Sequence, residues 1–204
     1  MNMNWSEWIS YWYLRLNGFF PLPHFVVHRV EAGERSTEID LLAIRPPHVY
    51  EEIGGQNDDW DDMLLSEVDI GRFIGVICEV KRGDDYRPET VFRPREIKYA
   101  LNRFGIISRE KAEEVAAVLS DHPRADASES LQVRKLLIGD RLKRKVSPCD
   151  FVPLEHTRNF FERRVKKYRA EKREAWTLFQ CSCWEEVLYK IEKEELHNQE
   201  EHAV

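Results

Sequence analysis

The chain has 204 residues and a formal net charge of −6, with 42% hydrophobic and 33% charged residues. It includes ten Phe, seven Tyr and six Trp, a composition that excludes a disordered or fibrous protein. This length fits one domain with a buried core.

The sequence carries no signal for a membrane or for a secreted, disulfide-linked protein. No stretch reaches the roughly 20 apolar residues of a transmembrane helix, and residues 1–12 lack the basic segment and cleavage site of a signal peptide. We therefore expect a cytoplasmic protein with no membrane partner. The four cysteines give no disulfide framework, and Cys181-Ser182-Cys183 lacks the second Cys or His pair of a zinc finger.

The order of predicted elements indicates one α/β domain. Apolar residues at helical spacing predict helices over Trp5–Leu16, Arg95–Phe104, Ser108–Leu119 and Leu154–Tyr168. Apolar runs between turn residues predict strands over Phe25–Val30, Thr37–Ile44, Phe73–Lys81 and Val133–Ile138. We expect a mixed β-sheet flanked by helices over residues 1–180, followed over 181–204 by a C-terminal helix and a frayed acidic tail.

An acidic segment separates the second and third predicted strands. Residues 46–72 contain Gly54-Gly55 and the run Asp58-Asp59-Trp60-Asp61-Asp62. These aspartates lack the alternating spacing of an EF-hand loop. We predict a solvated acidic insertion between neighbouring strands, with a short helix near Met63.

Two of the predicted strands end in ionic residues. Asp40 lies in the second strand, and the third strand ends in Glu79-Val80-Lys81. Because side chains alternate across a strand, Glu79 and Lys81 point to the same face. If the two strands pair, Asp40 can lie opposite Glu79.

This arrangement predicts a divalent-metal site. The carboxylates of Asp40 and Glu79 and the backbone carbonyl of Val80 are the hard oxygen ligands that Mg²⁺ prefers. Two neighbouring acids raise each other's pKa, and a divalent cation reverses that cost. Lys81 could balance charge in the transition state or help deprotonate an attacking water. A surface salt bridge between Glu79 and Lys81 would also explain this pair.

The pattern Glu38-Ile39-Asp40-Leu41 followed by Cys78-Glu79-Val80-Lys81 resembles the PD-(D/E)xK nuclease superfamily. That superfamily includes restriction endonucleases, Holliday-junction resolvases and uncharacterised bacterial proteins. The resemblance covers roughly residues 5–105 and implies a restriction-endonuclease-like fold. It implies that Asp40 and Glu79 are metal ligands for Mg²⁺ or Mn²⁺ and that Lys81 is the catalytic lysine.

The resemblance also suggests two further acids and has two departures. Many members use an acid from the first helix, for which Glu7 is the candidate, although an acid in a first turn is also favoured by the helix dipole. Glu38 shares the face of Asp40 in a regular strand and could be an auxiliary ligand. The superfamily's proline before the first aspartate is replaced by Ile39, and the insertion lengthens the distance along the chain from Asp40 to Glu79.

The basic residues are concentrated in the second half of the chain. Residues 134–174 contain 14 Lys or Arg and 6 Asp or Glu, a balance that can follow a phosphate backbone. A solvated helix face is the alternative for any single residue. On the helix predicted from Leu154, the candidates for nucleic-acid binding are Arg158, Arg163, Arg164, Lys166 and Lys167, the last four largely on the outer face.

We therefore expect a Mg²⁺- or Mn²⁺-dependent nuclease that hydrolyses phosphodiester bonds in DNA. The alternative is a module for nucleic-acid binding or protein interaction that has the same fold and no activity, in line with the net negative charge. An acidic protein that imitates nucleic-acid charge is a third interpretation. The exposed aromatic residues would permit a homodimer.

Overall fold

The computed structural model describes residues 3–28, 37–83, 85–143, 145–171, 184–190 and 193. Its elements are α1 Trp5–Leu16, β1 Phe20–Val27, β2 Thr37–Arg45, α2 Asp62–Leu65, β3 Phe73–Lys81, α3 Pro94–Phe104, α4 Arg109–Asp121, β4 Arg124–Asp126, β5 Leu131–Gly139, β6 Asp150–Pro153 and α5 Leu154–Lys167. Residues 184–190 are also helical, and the tail predicted to fray lies outside the described residues. No helix in these ranges combines the length and apolarity needed to cross a membrane.

The strands form one mixed sheet in the order β1-β2-β3-β5-β4, with β6 also paired to β5. β1, β2 and β3 are antiparallel neighbours, and β3 is parallel to β5. β3 and β5 are almost continuously buried, as expected for parallel strands covered on both faces. The predicted α/β domain with a mixed sheet flanked by helices is confirmed.

Helices cover both faces of this sheet. Helices α1 and α5 and the segment 184–190 enclose one core, to which β3 contributes Ile74, Val76 and Cys78. Helices α3 and α4 enclose a second core around Ile77. Alternate side chains of β3 therefore enter opposite layers, and odd-numbered residues near its end face α3 and α4.

The sheet has two ends, and each is named here by one residue. Gly139 pairs with Lys81 on one side and with Pro153 on the other, so β3, β5 and β6 finish together. We call this the Glu79 end. The opposite end, which we call the Arg45 end, lies where β2 finishes at Arg45 and β3 begins at Phe73.

The acidic insertion lies at the Arg45 end. Residues 46–72 join the end of β2 to the start of β3, and they include the short helix α2 near Met63, as predicted. The predicted solvated loop holds for Asp58 and Asp62, which are exposed, but not for Asp59 and Asp61, which are only 3% and 7% exposed. The insertion is thus a packed part of the fold.

Three short or irregular strands differ from the predictions. β1 extends over Phe20–Val27, and β4 and β6 were not predicted. Pro21 and Pro23 argue against a strand in this part of the sequence. An edge strand such as β1 nevertheless tolerates proline, because one side of its backbone needs no hydrogen-bond partner. β4 and β6 are held by pairing with β5, a long-range interaction that their own few residues do not encode.

Candidate metal and phosphodiester site

Asp40 and Glu79 lie opposite each other at the Glu79 end. Leu41 pairs with Cys78 and Leu42 with Ile77, and continuing this register by one residue places Asp40 opposite Glu79. The Asp40 carboxylate accepts a hydrogen bond of 2.7 Å from the backbone N–H of Val80. This bond fixes the Asp40 side chain against the end of β3, as the predicted strand pairing requires.

Lys81 bridges the two carboxylates. Its Nζ lies 3.0 Å from Oδ2 of Asp40 and 2.5 Å from Oε2 of Glu79. Asp40 and Glu79 are 9% and 4% exposed, while the Lys81 side chain retains 21% exposure. One ammonium therefore serves two buried carboxylates, and the cluster has an excess negative charge when both are ionised.

Burial changes the proton affinity of both partners. Burial and, to a smaller extent, the Asp40 carboxylate raise the pKa of Glu79 to about 8, even though the charge of Lys81 and its hydrogen bond lower it. Burial alone would lower the pKa of Lys81, but the charges of Glu79 and Asp40 and the hydrogen bonds to them hold it above its ordinary value. Lys81 therefore stays protonated, and Glu79 is the member of the cluster whose charged form the surroundings disfavour.

The donor atoms suit a hard divalent cation that retains several waters. The described part of the chain holds no cluster of three or more His, Cys, Asp or Glu arranged to bind a metal. Mg²⁺, however, is often held by only one or two carboxylates, with waters and substrate phosphate as its other ligands. Asp40 and Glu79 already share one cation, the ammonium of Lys81, and are close enough to share another. The Val80 carbonyl remains a predicted third ligand.

Glu7 caps a helix. Its carboxylate accepts a 2.9 Å hydrogen bond from the Asn4 backbone and a 2.6 Å bond from the Asn4 side chain, and the Asn4 side chain accepts from the Glu7 backbone at 3.1 Å. This reciprocal pair is a capping box for α1. These contacts of Glu7 are explained by its role at the start of the helix and require no metal.

His24 is a neighbour that the sequence reasoning missed. Its Nδ1 lies 3.5 Å from the Glu38 carboxylate, and its Nε2 lies 3.9 Å from the Glu7 carboxylate. His24 has a left-handed backbone with φ of 52°, and in the register of β1 with β2 it falls opposite Asp40. No residue pattern signals this position, because it depends on the irregular backbone.

Glu38 contacts His24 because β2 is irregular at Asp40. Leu41 packs in the α1 and α5 core, whereas Ile39 packs in the α3 and α4 core. Residues two apart in a regular strand would share a face. The alternation that predicted a common face for Glu38 and Asp40 therefore does not hold here.

A further acid, Glu96, was also missed. It is 4% exposed at the start of α3, where its carboxylate accepts a 3.2 Å hydrogen bond from the Arg93 backbone. Its charge contributes to the raised pKa of Glu79. The only sequence signal was its position three residues after the helix cap and two residues after Pro94, which indicates a helix start and not a site.

The prediction that Arg164 lies on the outer face of α5 is wrong. Arg164 is 4% exposed, and its guanidinium donates to the backbone carbonyls of Leu16, Gly54 and Asp59. The insertion brings two of these acceptors, the carbonyls of Gly54 and Asp59, to the helix. Arg164 is therefore a structural residue at the Arg45 end, with no surface to offer a nucleic acid.

Lys167 is also engaged by the insertion. Its Nζ lies 2.8 Å from Asp58 and 2.9 Å from Asp59, although its side chain is 43% exposed. Tyr168 donates a 2.7 Å hydrogen bond to Asp59 as well. Burial would raise the pKa of Asp59, but the hydrogen bonds from Lys167 and Tyr168 lower it overall.

The other predicted basic residues of α5 are more accessible. Arg158 forms a 2.9 Å ion pair with Glu162 and packs over the Trp5 ring. Arg163 and Lys166 are exposed. These two residues lie in the half of α5 that approaches the Arg45 end, on the far side of the sheet from Asp40 and Glu79.

In comparisons with protein-family models, with curated proteins and with solved structures, the chain has no significant match. The interpretation of the site therefore depends on its geometry and on the sequence pattern.

Proposed function

We propose that this protein is a Mg²⁺- or Mn²⁺-dependent nuclease of the PD-(D/E)xK type that hydrolyses phosphodiester bonds in DNA. The observation that carries the proposal is the meeting of Asp40, Glu79 and Lys81 at adjoining strand ends, with one ammonium shared by two carboxylates. These are the three residues that the sequence pattern singles out.

The architecture supports a restriction-endonuclease-like core. A helix precedes three antiparallel strands, and two helices then connect β3 to the parallel strand β5. Such a core would place the acid of β2 beside the acid and lysine of β3. The long insertion does not disturb this arrangement, because it enters at the Arg45 end.

The residues would divide the chemistry between them. A bound Mg²⁺ or Mn²⁺ would supply Lewis-acid polarisation of the phosphate and activation of the attacking water. Asp40 and Glu79 would hold that cation, and the bond from Val80 orients Asp40 for this role. Lys81, which contacts both carboxylates, would act as a charged donor to the phosphoryl oxygens or help deprotonate the attacking water.

One observation favours a second candidate, a DNA-binding module without catalysis. The ammonium of Lys81 already neutralises part of the carboxylate charge, so the cluster could persist as an internal ion pair. The two candidates differ in one respect. A nuclease needs Asp40 for cleavage, whereas a binding module tolerates its replacement.

The test is cleavage of linear, nicked, single-stranded and branched DNA by the purified protein in Mn²⁺. We expect cleavage that chelation stops and that Asp40→Asn reduces at least about 100-fold, since metal-assisted stabilisation is worth several kcal/mol. Asp121→Asn, which changes an exposed acid at the end of α4, serves as the matched control and should cleave normally.

Folding of each variant is checked by its unfolding midpoint in urea. Equal cleavage by Asp40→Asn and the control would exclude the nuclease. Absence of cleavage on all four substrates, with DNA binding retained, would favour the binding module.

A further inference from the structure

Beyond Lys81, two loops carry basic residues at the end of the sheet that holds Asp40 and Glu79. The loop of residues 82–93 follows β3, and the loop of residues 140–149 follows β5. Because Lys81 pairs with Gly139, both loops leave the sheet side by side at the Glu79 end. We call them together the paired loops.

Hydrogen bonds join the paired loops into one wall. The Gly83 backbone N–H donates to Asp140 at 2.7 Å, and the Tyr86 hydroxyl donates to the Arg141 carbonyl at 2.9 Å. Lys143 donates from its backbone to the Tyr86 hydroxyl at 3.1 Å and from Nζ to the Tyr86 carbonyl at 2.8 Å. The wall is therefore built before any ligand arrives.

The positive charge of this wall is concentrated on its second loop, because residues 82–93 contain three Arg and three Asp or Glu. Residues 141–145 read Arg-Leu-Lys-Arg-Lys, so four of these five residues are basic. The acid that precedes them, Asp140, is engaged by Gly83. Arg82 and Arg87 on the first loop and Arg141 and Lys145 on the second are exposed.

Helix α5 offers a poorer surface for the same ligand. It begins directly after Pro153 at the Glu79 end, and at a rise of about 1.5 Å per residue Lys166 lies roughly 18 Å farther along the helix. Arg164 is buried and Lys167 is paired with Asp58 and Asp59. The acids of the insertion thus neutralise the end of α5 that is remote from Glu79.

We propose that the paired loops, through Arg82, Arg87, Arg141 and Lys145, bind the phosphate backbone of duplex DNA beside Lys81. This inference rests on the proposed function, since it names the surface that would hold the substrate. A DNA strand presents one charge about every 3.4 Å along the axis, so a row of cations next to the carboxylates can align a phosphodiester with Lys81.

The experiment measures binding of a fluorescent 20-base-pair DNA duplex by anisotropy in EDTA, at several salt concentrations. Arg82→Ala/Lys145→Ala removes two exposed cations from the paired loops, and Arg163→Ala/Lys166→Ala removes two from α5 as the matched control. We expect the loop variant to bind at least about tenfold more weakly, with a salt slope smaller by about 1.8. The α5 variant should stay within about twofold of the wild type.

The inference is overturned if the α5 variant loses as much affinity as the loop variant, or if the loop variant binds like the wild type. The binding measurement in EDTA is independent of the proposed function, because it requires neither a metal ion nor cleavage. A protein that binds through the paired loops but does not cleave would support the surface and contradict the nuclease.

Discussion

Both ends of the sheet hold buried carboxylates, but the donors and cations that surround those carboxylates differ between the two ends. At the Arg45 end, Asp59 accepts from Lys167, Tyr168 and the Gln56 backbone. The pKa of Asp59 is lowered by these partners. At the Glu79 end, one lysine serves two acids, and the pKa of Glu79 is raised.

This difference separates a cluster whose charges the fold stabilises from the cluster that we propose to be functional. Asp59 has a full set of donors, so its charge is stabilised by the fold itself. When both are ionised, Glu79 and Asp40 bear more negative charge than Lys81 compensates, and a divalent cation would relieve that excess. Strongly perturbed acids with unmet charge are typical of functional sites.

The largest expected effect comes from removing Asp59, the buried carboxylate that has a full set of hydrogen-bond donors. Asp59→Ala should lower the free energy of unfolding by about 3–5 kcal/mol, because it leaves the buried guanidinium of Arg164 without its carboxylate. Urea unfolding measures this change. Asp58→Ala, at a carboxylate that is 72% exposed and also paired with Lys167, should cost no more than about 1 kcal/mol. Equal losses would show that burial does not distinguish the two acids.

Lysine substitution at each end separates activity from packing. Lys81→Met should reduce cleavage in saturating Mn²⁺ by about 100- to 1,000-fold, since it removes a charged donor to the transition state. Lys167→Met, at the Arg45 end, should leave cleavage within about twofold of the wild type. Single-turnover cleavage rates of the two variants measure this difference. A similar loss of rate in both variants would contradict a catalytic role for Lys81.

The raised pKa of Glu79 makes the free energy of unfolding depend on pH in a defined direction. Its pKa rises from an ordinary 4.5 to about 8 on folding, so the stability associated with its neutral form is present below about pH 4.5 and is lost as pH rises towards 8. Glu79→Gln cannot ionise. Between pH 5 and pH 8.5 in EDTA, the free energy of unfolding of this variant should gain on that of the wild type by more than about 1 kcal/mol, the value of roughly one pKa unit.

Urea unfolding at the two pH values tests this expectation, with the exposed Glu129→Gln as the control. The control should show no pH-dependent gain. If the difference in free energy of unfolding between Glu79→Gln and the wild type were the same at both pH values, the pKa of Glu79 would not be raised by folding.

The smallest effect concerns the acid of the first helix. Glu7→Ala should cost about 0.5–1 kcal/mol of unfolding free energy through loss of the capping box, and Asn4→Ala should cost a similar amount. Cleavage should stay within about twofold for both variants. If Glu7→Ala alone lost cleavage at least tenfold, Glu7 would have a metal role in addition to its cap.

The sequence was most informative where local pattern and register decide the structure. The strand Phe73–Lys81 was predicted with its observed bounds, and the pairing of β2 with β3, on which the expected position of Asp40 opposite Glu79 depended, is observed. Register is strongly specified when a strand is buried, because a slip of one residue would reverse every side chain.

Features set by long-range packing were not predictable in this way. Arg164 is buried because an insertion about a hundred residues earlier in the chain folds over α5. His24 approaches Glu38 because of a left-handed backbone in an edge strand. Neither contact leaves a periodic signal in the local sequence.

The most direct test of the account is anomalous X-ray diffraction from crystals soaked in Mn²⁺ at pH 8.5. We predict one anomalous peak bound by carboxylate oxygens of both Asp40 and Glu79, at roughly the 2.0–2.1 Å typical of small hard cations, with the ammonium of Lys81 displaced from between them. Crystals in which Lys81 still bridges the two carboxylates, with no anomalous peak beside them, would contradict the central claim.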